Sequence, residues 1–300
     1  MMRTPYREPD VEDSTQAVVL QNRCGNRLSL LVYDDHTELE FIYKPHAFRR
    51  KEFRARNFSN RDNYTTLFRG AQWPEIAAPL IARWEYDPFV TRVQIEAPSR
   101  ARNQITVLNI ADENCFVISA DRPLLLTFAP HRAFALGDGL ITERFEDRGE
   151  EIVAFLAFDS LEANRVRMLD DGRVALQLVE GDVLLAGGEE NMYHVSRVVR
   201  ALARQPLAAL IERNEALLAP VMAHGRVVTS DARWQRVLDM NRRVIYSGID
   251  EGGACFGALN RIYHLIWVRD GAMTTALAAR AGNPEFLKLW APLLLANPSR

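Results

Sequence analysis

The sequence predicts a multidomain β + α protein. A large antiparallel β-sandwich is expected over residues 1–195, a linker helix over 196–228 and short-looped helices over 229–300. Three observations predict this order. The chain of 300 residues reaches the size at which one hydrophobic core stops growing and a chain divides. Up to about residue 195, apolar residues alternate or form short β-rich blocks; beyond it they recur about one helical turn apart. Turn residues punctuate the first part at intervals too short for helices.

The strands are read in turn. Val18-Val19-Leu20, Leu28–Tyr33, Glu38–Tyr43 and Val90–Ile95 are short and rich in β-branched or aromatic residues, several with strict alternation. Asp34-Asp35 separates one pair. Asp171-Gly172 separates Val166–Leu169 from Val174–Leu178, as a hairpin turn does. Phe116-Val117-Ile118 and Leu124–Phe128 read as strands buried on both faces, and Val153–Phe158 is a further strand. Many short strands at regular spacing predict an antiparallel sandwich.

The period then changes. Val195–Ala223 reads as a helix interrupted by Pro206 and ended near Pro220, with Leu207, Leu210, Ile211, Leu217 and Leu218 about a turn apart. His224-Gly225-Arg226 is a break. The next helix is expected to start at Thr229-Ser230, with Ser230 as N-cap and Asp231 complementing the positive helix end. Trp234, Val237, Leu238, Val244 and Ile245 would line its apolar face, up to a stop near Gly248. Asp250–Ala254 is a loop. Asp270 can cap a helix carrying Met273, Ala276 and Leu277, stopped at Gly282. Asn283-Pro284 would cap another, with Phe286, Leu287, Trp290, Leu293 and Leu294 on one face. These last helices are too apolar and too few to close a core alone. Met273, Leu277, Trp290 and Leu294 therefore need partners, from a longer polypeptide, from the sandwich or from a second copy.

Composition narrows the function classes. The apolar fraction of 48% and charged fraction of 25% are those of an ordinary globular protein. A net charge of −2 predicts no bulk attraction to nucleic acid or to an anionic membrane. Cys24, Cys115 and Cys255 lack ligand spacing and read as buried thiols in a reducing compartment. There is no secretory core after Met1 and no run of about twenty apolar residues, so a cytoplasmic location is expected.

Tyr263-His264-Leu265-Ile266-Trp267-Val268-Arg269-Asp270 carries the densest chemistry. If the run into the helix is extended, Tyr263, Leu265, Trp267 and Arg269 project to one side. An indole stacks on the C–H face of a pyranose. A guanidinium forks to two hydroxyl oxygens, and a carboxylate accepts from two hydroxyl protons. The same residues also admit a plainer reading, in which Asp270 caps the helix, Arg269 pairs with it and the aromatics are core.

Tyr-x-x-x-Trp-x-Arg-Asp, followed by an alanine-rich helix and preceded by the Gly252-Gly253-Ala254 loop, resembles the first helical hairpin of glucoamylase-type glycosidases, glycoside hydrolase family fifteen. The order of sandwich, linker helix and helices resembles that of the prokaryotic members. The resemblance implies that residues 229–300 begin an (α/α)6 toroid, a ring of six helical hairpins, and are a truncated part of it. It implies that Tyr263, Trp267, Arg269 and Asp270 hold the sugar at the non-reducing end. The ligand would be an oligosaccharide or glucoside; no metal and no cofactor is implied. Related sandwich-plus-barrel families share the layout, including disaccharide phosphorylases and debranching enzymes.

The catalytic pair is missing from the pattern. Inverting hydrolysis needs two carboxyl groups about 6.5–9.5 Å apart, one protonated and one ionised. In the resembled family these are glutamates on later hairpins, expected beyond residue 300. Asp250 and Glu251 do not match them and read as solvated loop acids. The expectation is therefore an N-terminal part of an inverting glycosidase that grips sugar and does not cleave it. The alternatives are a non-catalytic module for glycan or protein binding, or part of a disaccharide phosphorylase. Self-association through the exposed helices is also expected.

Other constellations lead to less. The basic run from Lys44 to Arg61, interleaved with Phe48, Phe53 and Phe58, reads as a cationic face diluted by Glu40, Glu52 and Asp62 rather than a nucleic-acid site. Histidines 36, 46, 131, 194, 224 and 264 form no ligand spacing, so no metal site is expected. Gly187-Gly188 could cradle a phosphate after a strand, but Glu189-Glu190 would repel one.

Overall fold

The computed structural model describes residues 17–21, 28–33, 38–43, 65–73, 81–85, 87, 90–96, 102–132, 134–137, 139–147, 150–159, 162–247, 268–280, 282–285, 287–288 and 291. The β-rich blocks of the sequence become β1 (Ala17–Gln21), β2 (Leu28–Tyr33), β3 (Glu38–Tyr43), β4 (Thr65–Gln72), β5 (Ile81–Glu85), β6 (Val90–Glu96), β7 (Arg102–Asn109) and β8 (Cys115–Ala120). They continue as β9 (Leu124–Ala129), β10 (Phe134–Gly137), β11 (Leu140–Asp147), β12 (Glu150–Ala157), β13 (Val166–Met168), β14 (Val174–Leu178) and β15 (Leu184–Glu189). One sheet has the order β1-β2-β3-β4-β9-β14-β13; the other runs β10-β11-β12-β15-β8-β7-β6-β5. The pairings are antiparallel, as the alternating pattern predicts.

Period-two alternation sets which residues meet. Phe41, Leu67, Phe128 and Leu176 from the first sheet pack with Phe116, Ile118, Leu156 and Ala186 from the second, forming the sandwich core. The edge-on ring pair Phe68–Phe128, 5.4 Å between centroids, belongs to this layer. The other face of the eight-stranded sheet is apolar too. Cys115, Val117, Val153, Phe155 and Leu185 form a second core with Val195, Val199, Leu202, Leu210 and Leu218 of the helices that follow. This explains why β8 reads as buried on both faces: it lies between two cores. β9 differs, because Leu125 is half-buried and the outward Thr127 is covered by Arg173, which donates to its hydroxyl at 2.8 Å and to Gly70 O at 2.7 Å. The β13–β14 turn closes as expected. Gly172 stands at φ 79° and donates to Leu169 O at 2.9 Å, a three-residue loop whose left-handed position suits glycine.

The helical part starts at α1 (Met192–His194), passes through a π-helical stretch Val195–Val199 into α2 (Arg200–Ala203), and after a break at 204–206 continues as α3 (Leu207–Ala223). Asn191 caps α1, its Oδ1 accepting from Tyr193 N at 2.9 Å. Asn214 of α3, fully buried, accepts from Ala111 N at 3.0 Å and donates to Asn109 O, fastening the helix to the turn after β7.

Several helix expectations are corrected. Pro220 does not end α3 but lies inside it. A proline near the last turn removes only one backbone donor, and here the carbonyls at the helix end find tertiary partners. Arg242 donates to His224 O and to Val221 O at 3.4 Å, and Tyr246 donates to Val221 O at 3.4 Å. Those partners stand on α4 (Ala232–Ser247). Its N-cap is Asp231, not Ser230: Oδ1 accepts from Arg233 N at 2.8 Å and Trp234 N at 3.4 Å.

Because Arg242 and Tyr246 turn inward, only part of the expected apolar face of α4 does. Leu238 and Ile245 are half-buried, while Trp234 is 63% exposed and Val237 and Val244 also face outward. Helix α5 (Val268–Arg280) begins before Asp270, which is a first-turn residue and not a cap. Thr275 and Ala278 of α5 are buried, whereas Met273 is 60% and Leu277 52% exposed, as their apolar spacing led us to expect. The chain leaves α5 through Gly282 at φ 92°. Asn283 is buried, and its side-chain amide donates to Tyr246 Oη. Among the described residues no helix is long and apolar enough to cross a membrane.

Candidate functional site

The residues expected to grip sugar fall at the start of α5. Arg269 and Asp270 lie in its first turn, so the strand-like alternation read from Tyr263 does not extend to Arg269. Tyr263 and Trp267 lie outside the described residues, as do the 250–254 loop, the basic run 44–61, Cys24, Cys255 and His264. A shallow groove between α3 and α4, lined by Glu215, Met222, Arg226, Asp239 and Arg243, is separate from this segment in sequence. Its charges are largely matched: Arg243 bridges Asp87 at 2.7 Å and Glu215 at 2.9 Å, and Arg226 faces Asp239 at 3.5 Å.

The structure also gathers a polar cluster that linear spacing hides. Ile110 N donates to Cys115 O at 3.2 Å, which closes a tight turn between β7 and β8 and turns Glu113 and Asn114 toward the end of β15. Gly187 makes the approach close. A Cβ there would stand 2.1 Å from Asn114 O, so only glycine lets the strand and turn meet. Gly188 N then donates to Asn114 O at 3.2 Å, and the next residue, Glu189, arrives beside the turn. Asn114 Nδ2 donates to Glu189 Oε1 at 2.8 Å. His194, in the last position of α1, brings Nε2 to 2.6 Å from Glu113 Oε2.

One ligand atom each from Glu113, Glu189 and His194 therefore lies within 4.8 Å of the others, with all three residues half-buried. Burial pushes the Glu113 carboxyl above its ordinary value; the His194 contact draws it down, and Asp112 and Glu189 push it up. The expectation of no metal-ligand spacing is accurate for the linear sequence, but it does not describe the folded chain. The signal in hand was the Gly187-Gly188-Glu189-Glu190 run. In place of the phosphate cradle that the glycine pair suggests, Gly187 serves close strand packing and Glu189 ends the strand.

Elsewhere, His131 stacks on Phe145 with 4.2 Å between centroids and pairs its Nε2 with Thr66 O at 2.7 Å. Glu143 is buried and accepts from Arg132 N; burial raises its carboxyl too. These are packing contacts inside the sandwich.

With this geometry in place, comparison with known proteins gives a fold. No family model matches the sequence, and no curated protein matches it. A solved structure assigned as a kojibiose phosphorylase from human microbiome aligns at a TM-score of 0.29 and 6% identity, over 73% of this chain and 27% of that chain. A bacterial glucoamylase complexed with acarbose aligns at a TM-score of 0.52 and 10% identity, covering 95% of this chain and 51% of that chain. The chain thus spans about half the length of that glucoamylase. At such identity the likeness is one of architecture: the two antiparallel sheets and the helices laid on them have a glucoamylase-like fold.

Proposed function

We propose that this chain is the N-terminal part of an inverting glycoside hydrolase acting on α-glucosides from the non-reducing end. In this reading Tyr263, Trp267, Arg269 and Asp270 hold the terminal sugar. The carboxyl pair that protonates the leaving oxygen and activates water belongs to the other half of the fold. The observation that carries the reading is the fold likeness to a glucoamylase across 95% of the chain, joined to the Trp-x-Arg-Asp run at the head of α5. A sandwich packed through its helices would act as scaffold for the sugar-holding segment. The glucoamylase was solved with acarbose, which makes acarbose the natural probe here.

The test is calorimetric titration of acarbose into the 300-residue chain and into Arg269→Ala. Loss of a charge-assisted hydrogen-bonding group costs about 1.5–3 kcal/mol, roughly a tenfold to hundredfold change in affinity. Weak binding by the parent, lost in the variant, supports the reading. No binding by the parent at millimolar acarbose, or equal binding by both proteins, removes the sugar role from this segment. Starch and maltose should remain uncleaved by this chain alone; measurable turnover would place a catalytic pair within its 300 residues.

A further inference from the structure

A single carboxylate would suffice to pair with a half-buried histidine. Here there are two. Glu189 is delivered to the Glu113–His194 pair by the close approach of β15 and is oriented by Asn114. Asn114 is only 5% exposed, and while its Nδ2 serves Glu189, its Oδ1 has no hydrogen-bond partner. A buried amide oxygen without a donor forfeits its hydration and gains nothing in return. Asp112, on the same turn, is engaged by Arg213 and does not relieve the cluster. Two carboxylates, one imidazole and an unserved amide oxygen thus stand together at the junction of three elements.

We propose that Glu113, Glu189 and His194 bind a divalent cation of the zinc class, which pins the β7–β8 turn and the end of β15 to α1. An imidazole nitrogen with carboxylate oxygens suits Zn²⁺. Ca²⁺ and Mg²⁺ prefer all-oxygen ligands in larger number. His194 binds through Nε2 as neutral imidazole, with its hydrogen on Nδ1. The contact between Nε2 and Glu113 Oε2 gives way to the cation, and a hydrogen carried between those atoms is released to solvent as a proton or replaced by the Nδ1–H tautomer. Three protein ligands leave a fourth position for water, and that water donates to Asn114 Oδ1. Asn114 thereby acts as a positioning residue for Glu189 and for the water. The cation's role is structural, because the cluster lies where the sandwich passes into the helices. It is independent of the sugar-holding segment.

The test uses the 300-residue chain, stripped with chelator and dialysed against ZnCl2, with bound metal counted per chain. The expected result is one Zn²⁺ per chain at micromolar concentration, not displaced by millimolar MgCl2 or CaCl2, with a raised melting temperature. Glu189→Gln should weaken uptake at least tenfold, and Asn114→Ala about tenfold to hundredfold. No uptake by the parent overturns the proposal. So does uptake unchanged in Glu113→Gln/Glu189→Gln, which would assign the cation to other donors such as the cysteine thiols. Should a variant fail to fold, anomalous scattering at the zinc edge from crystals of the parent decides. A peak among the three side chains upholds the site, and a peak elsewhere, or none, refutes it.

Discussion

Replacing Asn214 by alanine asks whether α3 is fastened to the sheet by a hydrogen-bonded clamp or merely rests on it. Asn214 is fully buried; its Oδ1 accepts from Ala111 N at 3.0 Å and its Nδ2 donates to Asn109 O. Alanine deprives the buried Ala111 N–H of this acceptor and Asn109 O of this donor. Each bond lost by a buried group costs about 1–3 kcal/mol, so a loss of about 2–6 kcal/mol is expected. At about 2–4 °C per kcal/mol for a chain of this order of size, the melting temperature should fall by roughly 4–24 °C. Equilibrium urea unfolding followed by tryptophan fluorescence reads the change, and an unaltered m-value keeps the comparison two-state. Asn214→Asp sharpens the test. Its carboxylate still accepts from Ala111 N but sets a second oxygen against Asn109 O. The folded state then favours the protonated acid, which can donate. That variant should be least stable at neutral pH and recover as pH falls toward the ordinary carboxylate range. An alanine variant within about 0.5 kcal/mol of the parent, the range of an inert surface change, would refute the clamp.

Two further outcomes follow from the packing. Gly187→Ala places a Cβ 2.1 Å from Asn114 O and 2.9 Å from Cys115 Cα, both backbone atoms. The strand and turn must separate, so a loss of at least about 3 kcal/mol, or failure to accumulate folded protein, is expected by circular dichroism. Parent-like stability would mean that the approach of β15 to the turn is looser than described. Burial holds the Glu143 carboxyl above the ordinary glutamate value. The folded state therefore binds its proton more tightly than the unfolded chain does, and stability from this group is lost as pH rises from about 4.5 through the raised value. Glu143→Gln cannot ionise, so its stability relative to the parent should climb across that window in denaturant titrations. A flat difference would show that Glu143 does not titrate there.

The local pattern made many strands legible. Leu28–Tyr33 and Glu38–Tyr43 emerge with the expected bounds, and in the latter Leu39, Phe41 and Tyr43 form the buried face that imposes period two. The partnership of β9 with β4 and β14 could not be read, since it joins distant segments and no turn specifies it. Asp231 and Ser230 are both chemically able to cap α4; which one does so depends on where the first turn begins. The outward turn of Trp234 depends on Arg242 and Tyr246, whose inward position serves the carbonyls ending α3. A periodicity argument counts apolar residues and has no means of ranking a buried arginine. The same limit hid the polar cluster, because His194 and Glu113 are 81 positions apart and meet only through sheet geometry.

The doubly apolar eight-stranded sheet bears on how this polypeptide can be dissected. Cutting after Glu189 would expose Val117, Val153, Phe155 and Leu185 to water. Each of these large side chains loses about 1.5–3 kcal/mol when left solvated. Such a fragment would be sticky, short-lived and a poor donor for domain grafting. Scissors placed after Ala223 would retain the coat that Val195, Leu202 and Leu210 supply. Of the buried members of that core, such a cut removes only Tyr246 and Ala278.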